Sequence, residues 1–471
     1  MGYDTLIIGA GMSGLAAGIR LAQFDRRVLI VERHSLWGGL NSFYKLKGRI
    51  FDSGLHALTN YVRKGTPGVP LTRILRQLRI GYDELELGAQ GHSEIRFDGR
   101  RLEFTNDPEV FFAEIAREFP REIDGFRRLV AELPGYDAVL ERGEGSARAE
   151  LARYLGDPEL IESLMLPLCI YGSAREDDLD WDQFVILFRA IFLEGFSRPE
   201  GGIKALLELL LRRYKKVGGE LRMNCGVERI LVRDGAAVGV RLTSGEEILA
   251  ERVFSSAGHA ETLRLVDGDD ARLSAHRRAA EANLGQLSFL ESISVLDVQP
   301  ADLGFDATVS FFNHGNSFRY RRPDAGIDVQ SGVVCSPNNF ARKTPLSDGF
   351  VRITALANHA VWTSLPEHEY RARKESAADR MLESAALAIP ALARVREHTV
   401  FRDTFTPRTI QHYTGHLGGA VYGSPRKQRD GSSGIARLSL VGTDQGMLGI
   451  VGAMLSGITI ANHQALMEVS R

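Results

Sequence analysis

The chain lacks any run of about 18 apolar residues, the length a helix needs to cross a bilayer, so nothing in it reads as a membrane span. Cysteine is almost absent: Cys169, Cys225 and Cys335 are the three in 471 residues. Odd in number and far apart, they fit neither a metal-ligand spacing nor a disulfide framework. This points to reduced thiols, no bound metal and a reducing, cytoplasmic compartment. An excess of one charge is missing too. The 58 basic residues stand against 60 acidic ones, a net charge of -2, and this balance gives no electrostatic case for nucleic acid. The strand-like run Tyr3-Asp4-Thr5-Leu6-Ile7-Ile8 leaves no room for the charged and apolar regions of a secretion signal. Leu6 stands where a myristoylation signal needs Ser or Thr, although a peripheral contact with a membrane stays open. No G-x-S-x-G, H-E-x-x-H or Walker sequence occurs, so hydrolase, zinc-enzyme and P-loop chemistry have no motif. Repeats, low-complexity tracts and long linkers are absent as well. The length corresponds to about two or three domains.

Glycine, by contrast, is abundant: 49 residues, above one in ten, against a usual share of about 7%. A stretch near the N-terminus suggests why. Gly9-Ala10-Gly11-Met12-Ser13-Gly14 follows the apolar strand Thr5 to Ile8 and opens a helix from Ser13 to Phe24, after which Arg27 to Val31 reads as a second strand. Strand, helix and strand in this order imply a parallel pair and an α/β fold. Gly9 permits the tight turn, Gly11 a close backbone approach to a pyrophosphate, and Gly14 close packing of helix on strand. The phosphates would sit at the helix N-terminus, where free N–H groups and the helix dipole favour negative charge. Glu32 ends the second strand, where its carboxylate can accept both ribose hydroxyls and disfavours a 2′-phosphate. These residues indicate a dinucleotide and leave NAD and FAD open. No second unit of this kind appears, so no Rossmann domain is dedicated to NAD(P)H.

Beyond this unit the pattern is mostly helical from Leu71 to Phe196, with charged amphipathic stretches at Asp107 to Ala131 and Ala149 to Leu164 and a strand-like pair near Glu94 to Phe104. A helix is expected from Ile203 to Val217. Short strands follow at Glu220 to Asn224, Val227 to Val232, Val238 to Thr243 and Glu247 to Phe254, separated by glycine-containing turns. Residues 285 to 400 alternate in strand fashion, most clearly at Leu284 to Leu296 and Gly349 to Ala357. Leu438 to Val441 reads as a strand that runs into glycine-rich sequence and a last helix from Val451 to Val469.

The stretches Val31-Glu32-Arg33, Trp37-Gly38-Gly39-Leu40-Asn41-Ser42 and Ile50-Phe51-Asp52-Ser53-Gly54 resemble the opening of the flavoprotein superfamily that contains phytoene desaturases, carotenoid isomerases, retinol saturases and flavin amine oxidases. Arg198-Pro199-Glu200-Gly201-Gly202, Val227-Glu228-Arg229-Ile230 and Val253-Phe254-Ser255-Ser256-Ala257 are similar to its middle segment in order and spacing. Leu440-Val441-Gly442-Thr443-Asp444 with Gly449-Ile450-Val451-Gly452-Ala453-Met454-Leu455-Ser456-Gly457 resembles its second flavin motif. The resemblance implies bound FAD, with Gly9, Gly11, Ser13 and Gly14 at the pyrophosphate, Glu32 at the adenosine ribose with Arg33 beside it, and the backbone of Val227 at the adenine. Gly38, Gly39, Leu40 and Asn41 would run past the flavin and pyrophosphate, with Leu40 where the superfamily usually has Arg. Asp444 would hold a ribityl hydroxyl. Gly442, Val451 and Ser456 belong to the same motif, in which the N-terminus of the last helix faces the isoalloxazine and stabilises negative charge on it. The implied fold is α/β, a Rossmann-like FAD-binding domain of the glutathione reductase-like class with a mixed α+β substrate domain. The FAD domain would be discontinuous over 1–70, 197–265 and 405–471, and the substrate domain built from 71–196 and 266–404.

Flavin amine oxidases usually carry an aromatic residue in the last motif as half of a cage for the amine. Gly449 to Ala453 is aliphatic and resembles the desaturase type, with Val451 in place of its Pro. Phe405-Thr406-Pro407-Arg408-Thr409, Gly418-Gly419-Ala420-Val421-Tyr422-Gly423 and Ser53-Gly54-Leu55-His56 are similar to segments of carotenoid isomerases and retinol saturases. The implied activity is that of an FAD-dependent oxidoreductase acting on an apolar, isoprenoid or carotenoid-like substrate. Hydride would pass between a carbon centre and flavin N5, in desaturation, saturation or isomerisation, with oxygen, a quinone or another diffusible electron acceptor. Such transfer needs alignment and exclusion of water more than an acid–base pair. His56 is a candidate for orienting substrate or protonating the flavin, and equally for a hydrogen-bonded structural histidine. Tyr422 is a candidate for closing the substrate site, set against core packing with a satisfied hydroxyl. The aromatic run Phe184 to Phe196 reads as a tunnel lining, a membrane-docking face or a buried helix. An oxidase of an amine or small alicyclic substrate, and a non-catalytic flavin-binding protein, stay open as alternatives. Glu32→Ala and Asp444→Ala are each expected to lose bound flavin, read as the ratio of flavin to protein absorbance in the purified variants.

Overall fold

The computed structural model describes residues 2–54, 56–136 and 145–467; Leu55 and the end of the expected last helix, residues 468 and 469, lie outside them. The strand Tyr3–Ile8 runs through the middle of a seven-stranded sheet. It pairs in parallel with Val28–Val31 on one side and with Glu247–Ser255 on the other. Glu220–Arg222 and Leu438–Leu440 extend the parallel region outward. Val227–Arg233 and Ala236–Leu242 join antiparallel through the first residues of Glu247–Ser255. Val28–Val31 and the last four residues of Tyr3–Ile8 are buried throughout, as parallel strands covered on both faces must be. Helix Met12–Ala22 and helix Gly449–Ala461 share one core cluster on this sheet. Their backbones touch: a Cβ on Gly457 would lie 2.1 Å from the carbonyl oxygen of Ser13, so only glycine fits there.

The second seven-stranded sheet has the order Thr399–Phe405, Ser288–Leu296, Gly349–Ala357, Ser331–Cys335, Val309–Asn313, Ser93–Phe97 and Arg100–Phe104. It is antiparallel except where Val309–Asn313 meets Ser93–Phe97. Two separate stretches of chain therefore build one sheet. The hairpin of Phe43–Leu46 and Arg49–Asp52 packs on this sheet through Tyr44 and Phe51, which meet Phe401 and Phe405 at centroid distances of 5.3 to 6.2 Å.

Three expectations change. Asp107 to Ala131 is two helices, Pro108–Glu118 and Ile123–Glu132, because Pro120 between them has no N–H and a fixed φ. Ala149 to Leu164 breaks at Asp157, which caps Pro158–Gly172 by accepting the N–H of Glu159 at 2.8 Å, a helix start favoured by Asp followed by Pro. Within the stretch read as alternating strands lies the helix Glu367–Ala388. Ala377, Met381, Leu382 and Ala385 recur at helical spacing and join the core, a period of 3.6 hidden among many charges.

The aromatic run is an interior element, and this settles its alternatives against a membrane face. It forms the helix Trp181–Phe188 followed by a wider turn, Arg189–Glu194. Phe184, Phe188, Phe192 and Phe196 are all fully buried. Phe192 stacks on Phe111 at 4.5 Å and meets Phe104 edge-on at 5.0 Å. No described helix is long and apolar enough to cross a membrane. Phe192→Ala is expected to lower the unfolding free energy by about 3–5 kcal/mol. Leu387→Ala, at an exposed position, is expected to change it by less than about 0.5 kcal/mol, both read by chemical denaturation.

Candidate functional site

The strand Tyr3–Ile8 delivers the chain to a turn in which backbone approaches backbone. A Cβ on Gly14 would lie 2.1 Å from Gly9 O, so the first helical turn rests directly on the residue that precedes it. Helix Met12–Ala22 begins after Gly11 with no side-chain cap and no acid in its first turn, which leaves an uncapped positive pole. Glu32 is buried. Its Oε2 accepts the N–H of Ala10 at 2.9 Å and its Oε1 that of His34 at 3.0 Å, and each oxygen keeps a lone pair for a hydroxyl. The glycine pair crosses the same place. Gly38 N–H donates to Ala10 O at 3.0 Å and Gly38 bridges to Gly11, while Leu40 and Asn41 complete a short 3-10 turn. Trp37 Nε1, next to the pair, is buried and has no hydrogen-bond partner among the described residues. The chain entering Val227 runs alongside, with Cys225 N–H donating to Glu32 O at 2.7 Å. Arg33 is exposed and donates to His412 O at 3.4 Å.

The C-terminal motif meets this turn from the other side. Gly442 N–H donates to Ser456 Oγ at 2.7 Å, tying the strand to the last helix, and Val451 is buried in the core beneath it. Ser456 and Val451 thus place the helix, whose N-terminus again has no side-chain cap and no acid in its first turn. Asp444 is buried and holds two loops at once. Its Oδ2 accepts the N–H of His259 at 2.6 Å and its Oδ1 that of Ser424 at 2.7 Å. Beside it, burial pushes the Glu261 carboxyl up to about 7; Glu261 accepts the N–H of Leu417 at 2.7 Å. Burial lowers the Lys427 ammonium to about 8, and it donates to the carbonyls of Tyr422 and Thr443. Two uncapped helix ends, an acid closing the second strand and a glycine pair laid along the turn fit an elongated dinucleotide, with phosphate on a helix pole and hydroxyls at Glu32.

Where the hairpin meets the second sheet, four buried charges form two pairs. Asp52 accepts from Arg198 Nη2 and, at 3.1 Å, from Ile203 N–H. Arg352 Nε donates to Glu291 Oε1 at 2.6 Å and its Nη2 to the Asp52 carbonyl at 3.0 Å. His56 lies between the pairs. Its carbonyl accepts from Arg198 Nη1 at 3.0 Å, and its Nε2 is 2.9 Å from Thr354 Oγ1 and 3.4 Å from Glu291 Oε1. Burial lowers the His56 imidazole, against the pull of Glu291. Burial alone would raise Glu291, but Arg352 and His56 hold it down at about 2. The Tyr171 ring lies 6.3 Å from the imidazole, with its hydroxyl buried and, among the described residues, without a hydrogen-bond partner. Tyr422 donates its hydroxyl to Ile170 O and packs edge-on to Phe289 at 5.7 Å, so its O–H is engaged. Sequence reasoning named His56 and Tyr422 but missed Glu291, Arg352 and the Asp52–Arg198 pair. The available signal was an acid and a base inside two strands that are otherwise apolar and small, Ser288–Leu296 and Gly349–Ala357.

Residues 12–280 match the family described as flavin containing amine oxidoreductase. Prolycopene isomerase 1, chloroplastic, of an Oncidium hybrid cultivar is 23% identical, over 92% of this chain and 77% of that protein. The phytoene desaturase (neurosporene-forming) of Cereibacter sphaeroides is 29% identical, over 59% of this chain and 58% of its own. The crystal structure of an oxidoreductase from Methanosarcina mazei superposes on 97% of this chain and 99% of that one with a TM-score of 0.68, at 17% identity. The fold is thus the α/β architecture of FAD-dependent oxidoreductases. With more than half of its length matched, the chain belongs to the flavin containing amine oxidoreductase family and is an FAD-dependent oxidoreductase.

Proposed function

We propose that this enzyme acts on an apolar, isoprenoid or carotenoid-like substrate by hydride transfer at a carbon centre. The observation that carries the reading is the state of the charges where the hairpin meets the second sheet. Each buried acid there already has its own arginine, Asp52 with Arg198 and Glu291 with Arg352. The nearby side chains Tyr171, Phe289, Phe311 and Tyr422 are aromatic and packed ring against ring. A cationic amine would find both carboxylates neutralised, whereas a hydrocarbon gives up no polar contact on entry. The aliphatic start of the last helix, Gly449-Ile450-Val451-Gly452-Ala453, supplies no ring for an amine cage. The similarity to a prolycopene isomerase and a phytoene desaturase supports a polyene.

FAD, when bound, supplies hydride acceptance and donation. The residues that would hold it are Gly9, Gly11, Ser13 and Gly14 with their helix end, Glu32 and Arg33 at the adenosine, Val227 at the adenine, and Gly38, Gly39, Leu40 and Asn41 along its length. Gly442, Asp444 and the N-terminus of the last helix, placed by Val451 and Ser456, would complete the set. Residues 1–70, 197–265 and 405–471 then form the cofactor domain, and 71–196 with 266–404 the substrate domain. The protein's own contribution at the reacting carbon is alignment and exclusion of water by the aromatic wall. Oxygen, a quinone or another diffusible carrier would take the electrons in the desaturating direction. An amine oxidase is the second reading, favoured by the family match itself.

The purified protein is expected to show the absorbance of a bound flavin, and anaerobic phytoene in micelles is expected to bleach it while benzylamine leaves it oxidised. For isomerisation, prolycopene should change its isomer ratio on chromatography with the reduced enzyme and without net loss of reductant. Bleaching by benzylamine, with no change in either polyene, would overturn the reading in favour of the amine oxidase.

A further inference from the structure

We propose that His56, Thr354 and Glu291 form a proton-transfer unit, in which His56 Nδ1 takes or returns the proton that accompanies hydride transfer while Glu291 and Thr354 hold the ring in its Nε2–H form. The inference rests on the reading of this site as one of hydride transfer at carbon. When two hydrogens leave adjacent carbons, one departs with its electron pair as hydride to oxidised flavin. The other departs as a proton, and the electron pair of its C–H bond becomes the new C=C bond. The diffusible acceptor then removes the two electrons. The proton needs a base, and in the saturating direction the same carbon needs an acid.

The groups around the junction leave one base. Asp52 and Glu291 are tied to arginines, and Arg198 and Arg352 are cations. Burial raises the thiol of Cys335, whose Sγ donates to His56 O at 3.4 Å, and keeps Tyr171 neutral. His56 remains. An ionised carboxylate offers only acceptors, so the nitrogen facing Glu291 Oε1 at 3.4 Å carries the hydrogen and the other ring nitrogen carries the lone pair. Among the described residues, Nδ1 has no hydrogen-bond partner, and 14% of the side chain stays accessible in an otherwise packed interior.

The surrounding charges suit a group that gains and loses a proton. Asp52, Arg198, Glu291 and Arg352 sum to zero, so an imidazolium would be the single net charge of the cluster. Glu291 compensates it, whereas burial, Arg352 and Arg198 oppose it and keep the base free near neutral pH. Arg352 is a positioning residue: it fixes the carboxylate that fixes the ring, and its second contact, to the Asp52 carbonyl, fixes Arg352 itself.

The first arm of the test needs no substrate. Nitrogen NMR of histidine-labelled, flavin-loaded enzyme is expected to show His56 as the Nε2–H tautomer. Its titration midpoint should fall in Glu291→Gln, which removes the compensating charge, and its tautomer preference should weaken in Thr354→Val. An Nδ1–H tautomer in the wild type, or no response in either variant, would overturn the proposal. In the second arm, anaerobic flavin reduction by phytoene is followed against pH. His56→Gln is expected to slow it by about 10²–10⁴-fold and to remove the acidic limb of the profile, while Glu291→Gln moves that limb to lower pH. An unchanged rate and limb in His56→Gln would also overturn it. Flavin absorbance per protein reports folding, and Thr354→Val, which strands no charge, serves if Glu291→Gln does not fold. Should no polyene reduce the flavin, the hydride-transfer reading falls and takes the proton-transfer role of His56 with it, while the NMR arm decides separately whether the ring is held as described.

Discussion

Two buried ion pairs, Asp52 with Arg198 and Glu291 with Arg352, set the geometry of everything around them. They join an early hairpin, a short mid-chain strand and the second sheet, pieces that apolar packing alone would let slide. A guanidinium is a rigid planar fork with fixed donor directions. Arg352 uses it to reach a carboxylate on the neighbouring strand and a carbonyl on the hairpin at once. The arrangement is intolerant of partial loss. Removing one partner leaves the other buried and unpaired, at a cost of about 3–5 kcal/mol, whereas replacing a whole pair by apolar groups is often harmless to stability. What the pairs provide is thus better described as registration than as strength, and it is around this registered junction that His56, Tyr171 and Tyr422 are held.

Much of the cofactor-side geometry could be read from local sequence because its requirements are local. Gly9 through Gly14 and Glu32 act within one strand, turn and strand, and Gly14 sits where the backbone comes closest to itself. The start of helix Met12–Ala22 and the parallel pairing of Tyr3–Ile8 with Val28–Val31 follow from patterns only a few residues wide. Pro120 and the Asp157-Pro158 start were equally local, and the two broken helices were misread only because the charges on either side kept a helical period.

The junction was illegible for the opposite reason. Asp52 and Arg198 are 146 residues apart, and Glu291 and Arg352 are 61 apart; nothing in either neighbourhood announces the other. Glu291 faces Thr354 across the strand pair, and Arg352 faces Ile293, so the contact is diagonal and depends on a register no single strand specifies. Helix Glu367–Ala388 failed differently. Its buried face is largely alanine, too small to stand out against the Arg and Glu on its other sides, although those are good helix formers. Asp444 shows a further limit: its motif marks where it stands in the chain, but only the folded loops show that it holds the N–H groups of His259 and Ser424.

The contact between Ser13 and Gly457 reaches into how the protein is made. The first strand leaves the ribosome long before its neighbour Glu247–Ser255, and the helix that seats on Met12–Ala22 comes some 200 residues after that neighbour. Pairing of such distant partners waits on closure of very long loops and is intrinsically slow. Through most of synthesis the N-terminal unit is therefore an open half-site with its apolar faces uncovered, a species prone to aggregation and to capture by chaperones. A cofactor held between helix Met12–Ala22 and helix Gly449–Ala461 would load late, because those two segments lie far apart in the chain and must meet before either can hold it.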